Sequence, residues 1–529
     1  MQVRPNSAVF FSFLNLTASR LLGQKEDVSD VVPLLSASSW QTERDLCNAV
    51  IPRRPPSQQA QPSNFKALQA SKPGCYACCR PPSREPLLPL TLIHPVFGEF
   101  VDDIETITPM RSDYAMAFEL RQATTIFTSE SERRFAVYTI FRTYGIDIHP
   151  GPVGSSENKT DGHVSSATKL GFILEIKTEI GSKGAEPSLQ ALAYYRVFCD
   201  EYNLWTDYST CHPCFIAFLA GQSTIRPLAS FVLILDLGPH LGFGGCALTT
   251  CPTLEMFSNV LLDFHSSSDT GFRNLARHLA ALKKALKSLD LDGTQACDRI
   301  DIDSSRPAEL QPNFPYPTSF VSHGPGDKQR IHFTYEANVE GRTFLYRGKL
   351  RNGVDDRYIC IKFVQKYGVD VHRWCADNGF APQLIAYQDL PGGWSMVIME
   401  FLDQSWMPIM KMKTRPDRLA DEIFSTVIKL HENGMVHGDL RDTNLLVKQH
   451  GVPEFMLIDF DWAGYSGKVM YPRHVNISPT LGRPDGVEDG KPISVDHNIA
   501  MLQHLFPNAP ELVHAHYTKG SETLQTHSN

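Results

Sequence analysis

Apolar positions fall along the chain in two regimes. Before about residue 96 they are sparse. Residues 9–16 form one short apolar run, and residues 52–89 are rich in Pro, Ser and Gln (PRRPPSQQAQPS, RPPSREPLLP). That composition buries too little apolar surface to offset ordering, so it reads as a disordered linker. From Val96 the pattern becomes globular. In residues 129–144 (SESERRFAVYTIFRTY), Phe135, Tyr138, Phe141 and Arg142 recur at helical spacing, with Ser129 or Ser131 near the N-cap. Residues 170–180 (LGFILEIKTEI) read as a buried strand whose end alternates with polar positions. A helix is expected over 186–202 and a clearer one over 271–290, where Leu275, Leu279, Leu282 and Leu286 share one face. Its opposite face carries Lys and Arg, read as solvent-exposed, with contact to nucleic acid or to the second half of the chain as minority readings.

Residues 293–329, with many Asp, Ser, Pro and Gly, read as an interdomain linker. Beyond it, 358–364 (YICIKFV) and 394–402 (WSMVIMEFL) read as strands, and 417–433 as a helix ended by Gly434. Leu445, Leu446 and Val447 form one apolar run and 455–458 another; 494–506 reads as a last helix. The expected organisation is a mostly disordered segment 1–95, a domain 96–292, a linker 293–329, a second domain 330–515 and a disordered tail 516–529.

With 529 residues, 42% hydrophobic and 20% charged, the chain has room for two or three cores. A net charge of −8 carries no global basic signal for nucleic acid. No stretch of 18 or more apolar residues appears, so no membrane span is expected. The 12 cysteines follow no framework, which suits a reducing compartment. Cys75, Cys78 and Cys79 lack a second pair for zinc, and Cys211 and Cys214 lead into an apolar run, so both groups read as structural. Residues 9–16 follow Arg4 but precede no clean cleavage site. An intracellular place, cytoplasm or nucleus, is the expectation, with a secreted effector as the alternative.

Chemistry concentrates in residues 436–464 (VHGDLRDTNLLVKQHGVPEFMLIDFDWAG). Asp439 and Asn444 lie five apart, and Asp459 follows the next apolar run. Phosphoryl transfer needs one carboxylate at the nucleophile's proton, and an amide and a second carboxylate on the Mg²⁺ that bridges the phosphates. Asp439 is the candidate base, and Asn444 and Asp459 are the candidate metal ligands. Arg441 can offset charge on the moving group. Lys362 on an apolar strand needs an anionic partner, which ATP phosphates would supply.

These residues resemble the protein-kinase-like superfamily. His437-Gly438-Asp439-Leu440-Arg441 with Asn444 matches its catalytic loop, and Asp459-Phe460-Asp461 stands at its Asp-Phe-Gly. Gly438 is shared with aminoglycoside and choline kinase relatives. Asp459 to Gly464 (DFDWAG), followed by Tyr471-Pro472, looks like a fungal kinase-like group. The resemblance implies a two-lobed fold with a small C-lobe, ATP and Mg as cofactors, and Lys362 as the phosphate-binding lysine. It also implies Gly341 in a phosphate-covering loop, and backbone groups of Glu400 and Leu402 at adenine. The helix that normally supplies the lysine's glutamate falls at 367–378 and offers only Asp370 and Asp377. Asp496 is a candidate brace for the catalytic loop. The chain ends 68 residues after Asp461, without an Ala-Pro-Glu-like motif. A protein Ser/Thr acceptor is the first reading, and a small-molecule acceptor is the alternative.

A second constellation lies upstream. Glu175 and Lys177, two apart on a strand, point to one face. With Asp161 they could hold a divalent metal, Mg, at Asp161 and Glu175, with Lys177 orienting a water. Gln190 and Tyr194 share a helix face. This set resembles the PD-(D/E)XK nuclease superfamily, and LEIKTEIGSKGAEPSLQALAYY looks like the nuclease-like domain of Crinkler-type fungal proteins, often fused to a kinase domain. Cys214-Phe215 and residues 238–244 look like that group's later strands. Thr160 stands where the superfamily has Pro, and the first-helix carboxylate would be Glu130 or Glu132. Residues 222–236 interrupt the resemblance as a loop insertion or an unspliced stretch. The implied architecture is α+β and α/β multidomain: a nuclease-like α/β domain, then the kinase-like domain. A third functional reading follows: a pseudokinase fused to a metal-dependent nuclease or DNA-binding effector, with nucleic acid as the N-terminal domain's partner.

Overall fold

The computed structural model describes residues 37–51, 53–71, 76–78, 88–123, 129–153, 157–166, 169–177, 184–207, 210–221, 239–289, 314–322, 329–339, 342–351, 357–449, 454–478 and 481–507. The chain divides into two units. One is Leu35–Pro317 with the turn Leu390–Gly393; the other comprises Thr318–Asp389 and Trp394–Asn529. The suspected insertion at 222–236 lies outside the described residues.

In the N-terminal unit the elements are α1 (Ala37–Val50), α2 (Pro56–Gln59), α3 (Pro62–Ala70), β1 (Ala77–Cys78), α4 (Leu90–Ile93), α5 (Pro95–Thr106), α6 (Arg111–Gln122), α7 (Glu130–Thr143), β2 (His149–Pro152), β3 (Lys159–Ser165), β4 (Leu170–Ile176), α8 (Pro187–Glu201), β5 (Cys214–Ala220), β6 (His240–Leu248), β7 (Pro252–Leu261) and α9 (Asp269–Ser288). The strands form one sheet in the order β1-β7-β6-β5-β4-β3-β2. β4 and β5 run parallel, and β3 and β4 antiparallel. All of β4 is buried because both sheet faces are covered, which a near-continuous apolar run permits. Phe172, Leu174 and Ile176 join the core built with α5, α6, α7 and α9, whereas Ile173 joins the core built with α8. Strand alternation therefore turns Glu175 to the α8 side.

Two expectations need correction here. Residues 52–89 are not simply a disordered linker: α2 and α3 lie there, and Phe65, Leu68 and Tyr76 are buried in the same core as α8. A few apolar residues suffice because α8 supplies the surface they cover; Tyr76 Oη also donates to Gln59 Oε1 at 2.6 Å. The basic face of α9 is partly committed. Lys283 Nζ lies 2.5 Å from Asp113 Oδ1 on α6, and Lys284 Nζ 2.7 Å from Asp103 Oδ2 on α5. The apolar face meets the same two helices, and each fully buried leucine there contributes about 1.5–3 kcal/mol.

The C-terminal unit begins with β8 (Ser319–Val321), β9 (Arg330–Asn338), β10 (Leu345–Leu350), β11 (Tyr358–Val364), α10 (Val369–Asp377), β12 (Leu384–Leu390) and β13 (Trp394–Glu400). These strands form a sheet in the order β12-β13-β11-β10-β9-β8. Its edge strand β8 comes from the stretch expected to be linker. A tri-residue strand has no independent stability; pairing with β9 makes it. There follow β14 (Trp406–Pro408), α11 (Asp417–Glu432), β15 (Met435–Val436), β16 (Leu445–Lys448), β17 (Phe455–Leu457), β18 (Gly464–Tyr465) and α12 (Val495–Leu505). On α11, Leu419, Ile423, Val427 and Leu430 are buried at helical spacing. The turn after α11 is made by Gly434 at φ +71°, and it delivers the chain to β15 and the acidic loop. Among the described residues no helix is long and apolar enough to cross a membrane.

Candidate functional site

The loop between β15 and β16 carries His437, Asp439, Arg441 and Asn444. His437 is fully buried; its Nε2 donates to Ile458 O at 3.1 Å and its Nδ1 accepts from Asp439 N at 3.3 Å. Burial lowers its pKa, so the neutral ring stitches the two acidic loops together. Asn444 Nδ2 donates to both Asp439 O and Asp439 Oδ2 at 3.0 Å. Arg441 Nε lies 3.0 Å from Asp439 Oδ2. Ile458 N donates to Asn444 O at 3.0 Å, which sets Asp459 beside Asn444.

Asp459 adopts the left-handed conformation (φ 71°, ψ 64°), sparsely used by non-glycine residues. Lys362 on β11 places Nζ 2.5 Å from both Asp459 Oδ1 and Asp461 Oδ1. Burial works against the lysine's charge, but Asp459 and Asp461 hold its pKa above the usual lysine value. Burial would raise Asp459 as well, yet Lys362, Arg342 and Arg441 hold it below the usual carboxylate range. Burial, with the Asp459 charge, pushes Asp461 up to about 7 against the pull of Lys362.

The residue between them, Phe460, is buried. His372 of α10 stacks on its ring at 4.6 Å and 10°, and His437 lies at 5.0 Å on a tilted approach. His372 Nε2 donates to Pro382 O at 2.9 Å and its Nδ1 accepts from Tyr367 Oη at 2.7 Å. This neutral ring, its pKa lowered to about 4 by burial, ties α10 to the second acidic loop. As the lack of a glutamate on that helix implies, Lys362 makes no ion pair with α10 among the described residues. Asp370 pairs with Arg373 at the surface, Asp377 is exposed, and Asp461 takes that place.

Two residues at the site carried no motif signal. Gly438 N donates to Asn498 Oδ1 on α12 at 3.0 Å, so the brace is Asn498 and not the exposed Asp496. Its only sequence signal was a polar residue on the buried face of that helix. Arg483 Nη2 donates to Asp439 Oδ1 at 2.8 Å. At the end of β13, Glu400 N is committed to Gln383 O at 2.9 Å, so it is not an open donor for the adenine expected there. Leu402 follows β13 half-buried, and Gly341 lies outside the described residues.

Gly438 sits at φ +82°, and a Cβ there would come 2.7 Å from Trp462 O. Gly438→Ala is expected to lower the melting temperature and abolish ATP-dependent stabilisation together, since left-handed strain of about 1–3 kcal/mol falls on the loop itself. Thermal melts with and without ATP check this; an unchanged melt with intact ATP response would disprove it.

The donor set of Asn444 and Asp459, with Asp461 adjacent, fits Mg²⁺, which takes one or two protein carboxylates and completes its shell with phosphates and water. Among the described residues, Asn444 Oδ1 accepts only from the neighbouring Thr443 hydroxyl at 3.2 Å, a bond a metal can replace.

The upstream constellation is brought together in part. Asp161 on β3 accepts from Ile176 N at 2.8 Å through Oδ2, and its Oδ1 lies 2.9 Å from Arg134 Nε on α7. Glu175 is fully buried, and among the described residues neither carboxylate oxygen has a hydrogen-bond partner; Lys177 Nζ stands 3.8 Å from Oε2. Burial, then the nearby Asp161, raises the Glu175 pKa well above its usual value. On α8, Gln190 is buried with Oε1 unpartnered, and Tyr194 Oη donates to Lys159 O. Of the two candidate first-helix carboxylates, only Glu132 falls among the described side chains. Glu132 is exposed with its N–H capped by Ser129, the Glu130 side chain lies outside the described residues, and α7 presents Arg133 and Arg134 instead. Among the described residues no group of three or more His, Cys, Asp or Glu could hold a metal ion.

Residues 382–464 match the RIO domain, which belongs to an atypical protein kinase family. Among curated proteins nothing matches the chain. The solved structure of the Cydia pomonella Granulovirus kinase, PK-1, is similar at 16% identity over 34% of this chain and 67% of that one, with a TM-score of 0.28. The part of the C-terminal unit that carries both acidic loops is thus similar to a kinase-like domain.

Proposed function

We propose that the C-terminal unit transfers a phosphoryl group from ATP, with Mg²⁺, to a protein Ser or Thr hydroxyl. The observation that carries this reading is the convergence of Lys362, Asp459, Asn444 and Asp439, four residues that lie apart in sequence and have separate roles in phosphoryl transfer. Asp439 takes or orients the acceptor's proton. Asn444 and Asp459 would hold Mg²⁺, which neutralises charge on the bridging phosphate oxygens. Lys362 leaves its carboxylate partners to meet phosphate, and Arg441 neutralises charge at the acceptor side. The RIO match supports a protein acceptor over an aminoglycoside or choline-like one. A thermal shift with ATP, with and without Mg²⁺, tests the nucleotide site. At a hundred times Kd, stabilisation of about 2.7 kcal/mol is expected. Phosphate incorporation into casein, compared with aminoglycosides and choline, tests the acceptor; no shift and no incorporation would end the proposal.

A second reading rests on Glu175. A buried carboxylate without partners is costly unless protonated or paired with a cation. The reading is that a divalent ion shared with Asp161 satisfies it and supports cleavage of nucleic acid, after the Arg134 pair opens. Mg²⁺- or Mn²⁺-dependent nicking of plasmid DNA, lost in Lys177→Ala, is the expected result. Absence of nicking by the wild-type protein would dismiss it.

A further inference from the structure

Arg483 lies 44 positions beyond Asp439, in the stretch between β18 and α12 where no element was expected. Its side chain is only 4% exposed. The guanidinium makes three contacts at once. Nη2 donates to Asp439 Oδ1 at 2.8 Å, Nε donates to Asn476 O at 2.8 Å, and Cζ lies over the Trp462 ring, 4.7 Å from its centroid. Asn476 holds it to its own segment. Trp462 belongs to the loop of Asp459, and its carbonyl backs Gly438. A second contact fastens the same stretch: Tyr471 packs edge-on against Trp462 at 5.8 Å and bonds His497 Nδ1 on α12 at 3.1 Å.

Consider what Asp439 would be without it. Asn444 and Arg441 both act on Oδ2. Both contacts bear on one oxygen, so the broad, soft torsion about Cβ–Cγ is restrained from one side only. Arg483 on Oδ1 closes that freedom and sets which lone pair of Oδ1 faces an incoming hydroxyl. A lysine offers the charge but not the fork that reaches Asp439 and Asn476 at once while Cζ sits over Trp462.

We propose that Arg483 is a positioning residue for the catalytic carboxylate, and that the segment carrying it couples the C-terminal part of the unit to the base. This rests on the phosphoryl-transfer reading. The acceptor side of the site is then built after the second acidic loop, by a residue that reaches back to the first. Arg483 acts through Asp439 and bonds none of Lys362, Asn444 and Asp459, so its effect is on turnover and not on nucleotide affinity.

The test uses the full chain, first as wild type, for Mg²⁺–ATP thermal shift and for phosphate transfer to casein or to itself. Arg483→Ala is then expected to lower kcat by about 10²-fold, the scale of a misplaced catalytic group, with KM for ATP within about twofold. Millimolar guanidinium is expected to restore part of the rate in Arg483→Ala and none in Asp439→Asn. Should Arg483→Ala fail to fold, Arg483→Lys carries the test, with a fall in kcat and an unchanged ATP shift expected. An active wild type with kcat unaltered in the variant that folds overturns the role of Arg483 alone. So does a loss of ATP response that matches the loss of rate, which is the mark of a merely structural residue. A wild type that binds no ATP and transfers no phosphate overturns both readings.

Discussion

Asp439→Asn is expected to lower phosphoryl transfer by about 10²–10⁴-fold, the usual contribution of a positioned acid or base, with ATP binding retained. The asparagine is the informative change because of what surrounds the carboxylate. Asp439 is 5% exposed and receives Arg483 on one oxygen and Asn444 and Arg441 on the other. An amide oxygen can still accept at one of these positions and fills the same volume. Alanine would leave the buried Arg483 without its carboxylate, and breaking a buried pair on one side costs about 3–5 kcal/mol. Lost activity in Asp439→Ala would then mix lost chemistry with a loosened unit. Measuring kcat together with the melting temperature of Asp439→Asn separates the two. Full turnover in that variant would remove Asp439 from the role of base.

Asp459→Asn is expected to abolish the Mg²⁺-dependent part of ATP stabilisation and to leave the Mg²⁺-independent part in place. Asparagine tolerates the left-handed backbone that position 459 adopts, so the loop keeps its course. What changes is charge. Lys362 loses one of its two carboxylates and keeps Asp461. The nucleotide phosphates compete for that lysine, so ATP without metal should bind as well as before or better. The metal loses its only charged ligand besides Asp461. At a hundred times Kd the full Mg²⁺–ATP stabilisation is about 2.7 kcal/mol, and the increment at stake is the part of it that ATP alone does not supply. Paired thermal melts with ATP alone and with Mg²⁺–ATP decide it. An undiminished Mg²⁺ increment would move the metal to Asp461 or elsewhere.

What was legible in the chain follows the range of the interactions. The acidic loops were readable because their contacts are local. Asn444 reaches Asp439 across five residues, and the β16–β17 hairpin returns Asp459 beside both. Lys362 was readable because a lysine in the run YICIKFV has to be paired. Its partner was not readable. The expected acid on α10 is missing, and Asp461 takes the place only because Phe460, wedged between His372 and His437, turns the following residue toward β11. Glu175 and Lys177 were placed on one face by strand alternation, but the nature of their neighbours was not. On the helix expected to bring a carboxylate, Arg134 reaches Asp161 while Glu132 faces outward, because side-chain direction on α7 depends on how the helix docks and not on its spacing.

Local pattern thus determined the elements, the two acidic loops and the chemistry they suggest, since hydrophobic period, capping and turn residues act within a few positions of one another. Tertiary structure alone decided the closing contacts: Arg483 on Asp439, Asn498 on Gly438, Arg342 near Asp459, and α2 and α3 against α8. Each joins segments far apart in the chain. No sequence period links such segments, and only the packing of their apolar faces brings the polar groups within bonding distance.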